Sequence, residues 1–210
     1  MTLSKSKSNR IHEAETMTIQ YYEEHGEAFY DATVHADLSA LYKPFLASLP
    51  SQSHILDAGS GSGRDSRFFL DQGYEVTSID ASKAMVEKTT VLTGREALHL
   101  RFDQIEFENI FDGIWACASL LHVPPTAIDD VLYRLTRALR EGGIMYCSFK
   151  YGEGTEYRGG RFFANYNERT WQEVLSRQKE NPLKLLQLWK TQDVRPGRDE
   201  EWWLNCLVER

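Results

Sequence analysis

Apolar strand-like runs alternate with amphipathic helix-like runs, a glycine-rich turn follows the first strand, and an acid closes the second. Together these predict a doubly wound α/β fold, a mostly parallel sheet with helices on both faces. The 210 residues suit one domain and can bury a core without disulfides or a structural metal. The cysteines, Cys117, Cys147 and Cys206, form no CxxC pair, which fits a reducing, cytoplasmic compartment. With 24 basic and 31 acidic side chains the net charge is −7, which disfavours nonspecific adhesion to phosphate backbones or anionic membranes. The longest apolar run, residues 114–123, is about half the ~20 residues a membrane span requires. Residues 1–10 are polar, rich in serine and lysine, lack the apolar centre of a signal peptide, and read as a disordered tail.

Each element follows in order. Residues 13–30 and 37–49 predict two leading helices. Residues 54–57 are a short apolar strand running into the glycines, and from Ser62 the pattern turns helical through Phe68, Phe69 and Leu70 until Gly73 stops it. Residues 74–79 form a second strand closed by Asp80, and Ser82 is placed to cap a helix carrying Met85 and Val86. A weaker strand over 98–102 precedes a stronger one over 113–117. Thr126 with Asp129 has the form of a capping box ahead of Ile128, Val131, Leu132, Leu135 and Leu139, and Gly142-Gly143 ends that helix. Residues 144–149 give a strand, 170–177 a helix with Trp171, Val174 and Leu175 inward, and 184–189 and 202–208 two closing strands. No repeat or linker divides the chain. Residues 11–210 therefore read as one domain: leading helices over 11–49, a cofactor-binding core over 50–150, and an acceptor-side loop with closing strands over 151–210.

Ligands of such sheets bind beyond the carboxyl ends of the strands, here at Asp57-Ala58-Gly59-Ser60-Gly61-Ser62-Gly63. Glycine at every second position permits a tight turn and close backbone approach. The dinucleotide spacing fails in both registers, because Arg64 or Ser66 stands where a third small residue is needed, and no Gly-Lys-Ser/Thr follows for a P-loop. Asp57 at the floor of the turn would repel a pyrophosphate and accept hydrogen bonds from an α-ammonium group. Asp80 stands where an acid takes both ribose hydroxyls. A ribose joined to an amino-acid zwitterion describes S-adenosylmethionine.

Ile55-Leu56-Asp57-x-Gly59-x-Gly61-x-Gly63 with Asp80 downstream resembles the class I S-adenosylmethionine-dependent methyltransferases over roughly residues 50–150. The resemblance implies a seven-stranded Rossmann-like sheet, S-adenosylmethionine as donor with S-adenosylhomocysteine as product, and a small-molecule acceptor. It implies Gly59, Ser60 and Gly61 against the methionine part, Asp57 near its ammonium, and Asp80 on the ribose. Ala81, Ser82 and Met85 would lie beside ribose and adenine, Asp103 at the adenine amino group, and Ala118 and Ser119 along the methyl-donor cleft. Phe102 stands where the family often has glycine. Arg64-Asp65-Ser66, with Tyr22 and Tyr30 upstream, is similar to the tellurite-resistance and related small-molecule subgroup, and implies Tyr22 and Arg64 as cofactor contacts.

Methyl transfer from a sulfonium needs alignment and exclusion of water more than a dedicated base. His122, before Pro124-Pro125, could nevertheless take a proton from an acceptor; the competing reading is a histidine that packs or caps the turn. Cys117 reads as core. Lys150 at the end of the fifth strand, with Arg158 and Arg161 on the glycine-rich loop after it, would overlook an anionic acceptor; Arg195 and Arg198 lie in another turn. No His/Cys/Asp cluster has metal spacing. Ile19, Tyr22 and Phe29 share a helical face flanked by Tyr21 and Tyr30 and predict a lid. The alternatives are a non-catalytic S-adenosylmethionine sensor or scaffold, and an RNA or protein methyltransferase, the nucleic acid being disfavoured by charge. Oligomeric state has no signature in the sequence.

Overall fold

The computed structural model describes residues 2–210, with side chains from residue 13 onward. In chain order it contains α1 (Thr2–Thr33), α2 (Ser39–Ala47), β1 (His54–Ala58), α3 (Arg64–Asp71), β2 (Glu75–Asp80), α4 (Lys83–Thr93), β3 (Leu98–His99) and β4 (Phe111–Ala116). After these come α5 (Ile128–Ala138), β5 (Leu139–Lys150), β6 (Gly154–Arg158), β7 (Arg161–Asn165), α6 (Glu168–Ser176), β8 (Lys184–Gln192) and β9 (Trp202–Glu209). Seven strands form one sheet in the order β3-β2-β1-β4-β5-β9-β8. The first five pair in parallel, and β9 runs antiparallel between β5 and β8. The doubly wound, seven-stranded Rossmann-like sheet is therefore present, and its order reverses between β1 and β4, the switch point where a crevice opens.

Period-two alternation sorts the central strands onto two cores. Ile55, Trp115, Tyr146 and Leu207 face α2 and α3, where the rings of Phe45 and Phe69 lie 5.1 and 5.4 Å from Trp115. Leu56, Ile114, Met145 and Val208 face the other way, onto Leu132 and Leu135 of α5 and Trp171 of α6. Each such fully buried large side chain contributes about 1.5–3 kcal/mol. Among the described residues no helix is long and apolar enough to cross a membrane.

Four local expectations are corrected. The capping box of Thr126 and Asp129 does not form: Ala127 is the cap residue without a side-chain bond, and its N–H reaches the Pro124 carbonyl (2.8 Å) in a turn that Pro124-Pro125 stiffens. The weak third strand keeps only Leu98 and His99 before a short 3-10 turn from Phe102 to Gln104. The helix expected to reach Leu139 stops at Ala138, and β5 already begins there, with its pairing to β4 slipping between Phe111 and Gly113. The glycine-rich loop after the fifth strand is a hairpin, β6–β7, turned by Gly159 (φ 55°) and Gly160 (φ 76°), a two-residue turn whose central positions both require positive φ.

Residues 2–10, read as a tail, continue α1 in the backbone, and no glycine or proline interrupts the chain before Gly26; Met1 lies outside the described residues. The helix bends at His25 (φ −118°). Thr18 Oγ1 accepts the Phe162 N–H of β7 at 3.0 Å. The Glu23 carboxylate accepts the N–H groups of Lys83 (2.6 Å) and Ala84 (3.3 Å), the first turn of α4. Thus α1 lies across the carboxyl ends of the strands, tied to the hairpin on one side and to α4 on the other.

Candidate active site

Beneath α1 and the hairpin lies a cavity of about 470 Å³, bounded by the glycine turn, the ends of β2, β4 and β5, and the β8–β9 turn. Gly59, Gly61 and Gly63 all adopt left-handed φ (88°, 53° and 80°), a region glycine enters without penalty. A Cβ on Gly59 would stand 2.5 Å from Ser119 Cβ, and one on Gly63 2.8 Å from Thr89 Cα. These two glycines serve the protein's own packing, on the end of β4 and on α4. Gly61 faces the ring of Phe29 on α1, 3.3 Å from where its Cβ would be, and so belongs to the chamber wall.

Asp80 lines the cavity with Ala81, Ser82, Met85 and Ser60. Its carboxylate accepts the N–H of Gly61 and of Ser82, both at 2.9 Å. Burial pushes its pKa up to about 6, with those N–H bonds working against the rise. Ser82 caps α4 as expected, accepting the Met85 N–H (3.3 Å). Leu100 and Phe102 add an apolar wall.

Asp57 and Asp103 are not brought to the cavity. Asp57 still belongs to β1 and points to the face covered by α3, where it takes the Ser66 hydroxyl at 2.5 Å. Burial, with the nearby Asp65, pushes its pKa up to about 8. Asp103 is half exposed and paired with Arg101 at 2.8 Å. Arg64 does reach the cavity, its guanidinium held by Asp65 (2.6 and 3.0 Å) and by the Thr33 carbonyl (3.2 Å). Burial opposes that charge, yet Asp65 more than offsets it and raises the Arg64 pKa.

Tyr22 and His122 meet over the far end of the chamber. His122 Nδ1 lies 2.7 Å from the Phe162 carbonyl, which can only accept, so Nδ1 carries the proton; Nε2 then accepts from the Tyr22 hydroxyl at 2.9 Å. Burial pushes the His122 pKa down to about 4 despite the Phe162 bond, and burial raises that of Tyr22. The imidazole is thus neutral at pH 7 and oriented at both nitrogens. The Tyr22 oxygen, its proton committed to His122, offers lone pairs to a hydrogen-bond donor.

Ala118 lines the cavity with a positive φ of 51°, its N–H held by Ser148 Oγ at 2.9 Å. Cys117, expected in the core, also reaches the wall, and burial pushes its thiol up to about 12, too high for a thiolate nucleophile at neutral pH. Lys150 lines the cavity but is buried, 3.2 Å from Asp193, in contact with Glu201 and 4.0 Å from the centre of the Trp203 ring. Burial lowers its pKa against the pull of both carboxylates. Its charge is spent within the fold. Arg158 approaches Glu201 at 4.0 Å, whereas Arg161 packs on Tyr21, its guanidinium 4.4 Å from the ring centre.

Residues 55–143 match the family model described as a methyltransferase domain. YqeM of Bacillus subtilis, named as a methyltransferase, is 32% identical over 130 residues, covering 57% of this chain and 53% of that protein. The malonyl-[acyl-carrier protein] O-methyltransferase of Enterobacter lignolyticus is 31% identical over 108 residues, 48% of this chain and 41% of that enzyme. The chain spans about half the length of these curated relatives. The fold also superposes on a Burkholderia thailandensis 1,6-didemethyltoxoflavin N1-methyltransferase, solved with its acceptor and S-adenosylhomocysteine, with a TM-score of 0.74 at 20% identity over 98% of this chain and 89% of that one.

The chain thus carries a segment that matches a methyltransferase-domain family, on a fold shared with that solved methyltransferase. The matched segment runs from β1 to the start of β5 and so holds Gly59, Gly61, Asp80, Ala118 and His122. The chamber's other walls lie outside it, on α1, the hairpin and β8–β9. Sequence reasoning missed Ser148, Asn205 and Trp203, which line the cavity from β5 and β9. Only the alternation of the closing strands could have singled them out, and it does not say which face would be wet.

Proposed function

We propose that the chain transfers the methyl group of S-adenosylmethionine to a small, anionic acceptor bound in the hairpin side of the same chamber. The observation that carries this reading is the continuity of the cavity, which runs from Gly61, Asp80 and Met85 to His122 and Arg161 without a dividing wall. The residues present suit the donor. Asp80 is an acid at the place for a ribose diol; Met85, Leu100 and Phe102 offer an apolar slot for adenine; Arg64, already paired with Asp65, walls the cavity beside the glycine turn, where the methionine part would lie. When bound, the donor supplies a methyl group on a positively charged sulfur. α1 and the hairpin exclude water and hold the acceptor in line. His122, neutral and oriented, fixes the Tyr22 hydroxyl, whose oxygen can accept a hydrogen bond from the acceptor and so position it.

The net charge of −7 speaks against a nucleic-acid acceptor, and three free cysteines suit a cytoplasmic protein. Incubating the protein with S-adenosylmethionine labelled on its methyl group, together with a small-molecule extract, should move label into an acidic, extractable product. Donor that binds without any label transfer, across extracts from several sources, would favour a sensor instead.

A further inference from the structure

We propose that Arg161 is an anion receptor that holds a single carboxylate, or an equally acidic planar group, of the acceptor by the edge of its guanidinium; calling the bound molecule the acceptor rests on the methyl-transfer reading above. Every other cation on the cavity wall has a carboxylate within 4.0 Å, four of them sharing two carboxylates. Arg64 is taken by Asp65, Arg101 by Asp103, Lys150 and Arg195 by Asp193, and Arg158 and Arg198 by Glu201. Arg161 has no carboxylate partner among the described residues. Its surroundings are rings: Tyr21, Phe163 and Tyr22 stand 4.4, 5.3 and 5.8 Å from the guanidinium carbon.

Ring faces stabilise the charge but accept no in-plane hydrogen bond. Accordingly the Arg161 Nε–H is shut off from water with no acceptor, and Nη1 finds only the Tyr22 oxygen at 3.5 Å. With Nε enclosed, the edge left for a ligand is the one formed by Nη1 and Nη2, two parallel N–H donors in the geometry a carboxylate fits. A single planar fork set between rings suits one planar carboxylate better than a tetrahedral dianion. Ile19, Leu121 and Phe163 on the wall suit an organic body behind that charge.

The test uses the full chain and benzoate as probe, with and without saturating S-adenosylhomocysteine, followed by calorimetry and by the NMR signal of the Arg161 Nε–H. Benzoate should bind saturably and shift that signal, benzyl alcohol should not, and inorganic phosphate should bind more weakly. Arg161→Gln should weaken benzoate by about tenfold or more while leaving S-adenosylhomocysteine affinity unchanged. Arg161→Lys keeps the charge without the fork and should fall between; should the glutamine variant not fold, this variant and the wild-type Nε–H signal decide. Equal affinity for benzoate and benzyl alcohol, tighter binding of phosphate, or an unmoved Nε–H signal would overturn the proposal. If Arg161-dependent benzoate binding persists where S-adenosylhomocysteine does not bind, the receptor stands and the methyl-transfer reading falls.

Discussion

His122 is held by two bonds that leave it one tautomer, and burial keeps it neutral well below the usual imidazole range. The consequence for stability has a definite sign. An unfolded imidazole takes up a proton below about pH 6.5, the buried one only near 4, so between those values the unfolded state gains protons and stability is lost as pH falls. The loss attributable to His122 totals about 3 kcal/mol, and it should be absent from His122→Gln. Urea unfolding of both proteins at pH 7, 6 and 5 measures this, and parallel profiles would contradict it. Lys150 carries a different expectation, because its ammonium neutralises buried Asp193 and Glu201. Lys150→Met should cost about 2–3 kcal/mol of stability, below the full penalty for a broken buried pair since Arg195 and Arg198 stay in place. It should not alter the preference for anions; a variant of wild-type stability would show that the pairing is dispensable. These residue-level features were only partly legible. The turn chemistry pointed to Gly59, Gly61, Asp80 and Ser82, which line the cavity, whereas Asp57 faces α3 because its side chain follows the strand's alternation rather than the turn, and pairing partners such as Asp193 are set by tertiary contact alone.

At the level of elements, α1 behaves as a clamp whose two ends are fastened differently. Glu23 satisfies the first N–H groups of α4, next to the loop that holds Asp80 and Ser82, so the helix and the proposed donor site share a strut. Glu23→Ala should lower stability by about 1 kcal/mol and weaken S-adenosylhomocysteine binding; an unchanged affinity with a lowered melting temperature would leave the contact as packing only. Gly61→Val places a branched side chain at positive φ against Phe29, and should displace α1 and reduce ligand affinity more than a substitution at Gly94, whose Cβ would meet nothing within 4 Å. The helical face of Ile19, Tyr22 and Phe29 was readable from spacing. So was the hairpin, in principle: Arg158-Gly159-Gly160-Arg161 between alternating residues is a two-residue turn signal. Its glycines invited a loop reading because the flanking strands are short and β6 is wholly exposed.

The whole molecule joins a generic half to a particular one. The segment from β1 to β5 builds the crevice at the strand-order reversal, and this part was legible because parallel strands and their helices repeat a strong pattern. α1, β6–β7 and β8–β9 close the crevice into a chamber, and their mutual placement depends on contacts 100 or more residues apart, such as Tyr22 with His122 and Thr18 with Phe162. The central claim is that this chamber binds the methyl donor through Asp80. Calorimetric titration with S-adenosylhomocysteine tests it most directly. The wild-type protein should bind one equivalent, and Asp80→Ala, still folded, should lose about 1.5–3 kcal/mol of that affinity, the range for hydrogen bonds to a charged group; no binding by the wild type, or equal binding by both, would contradict the account.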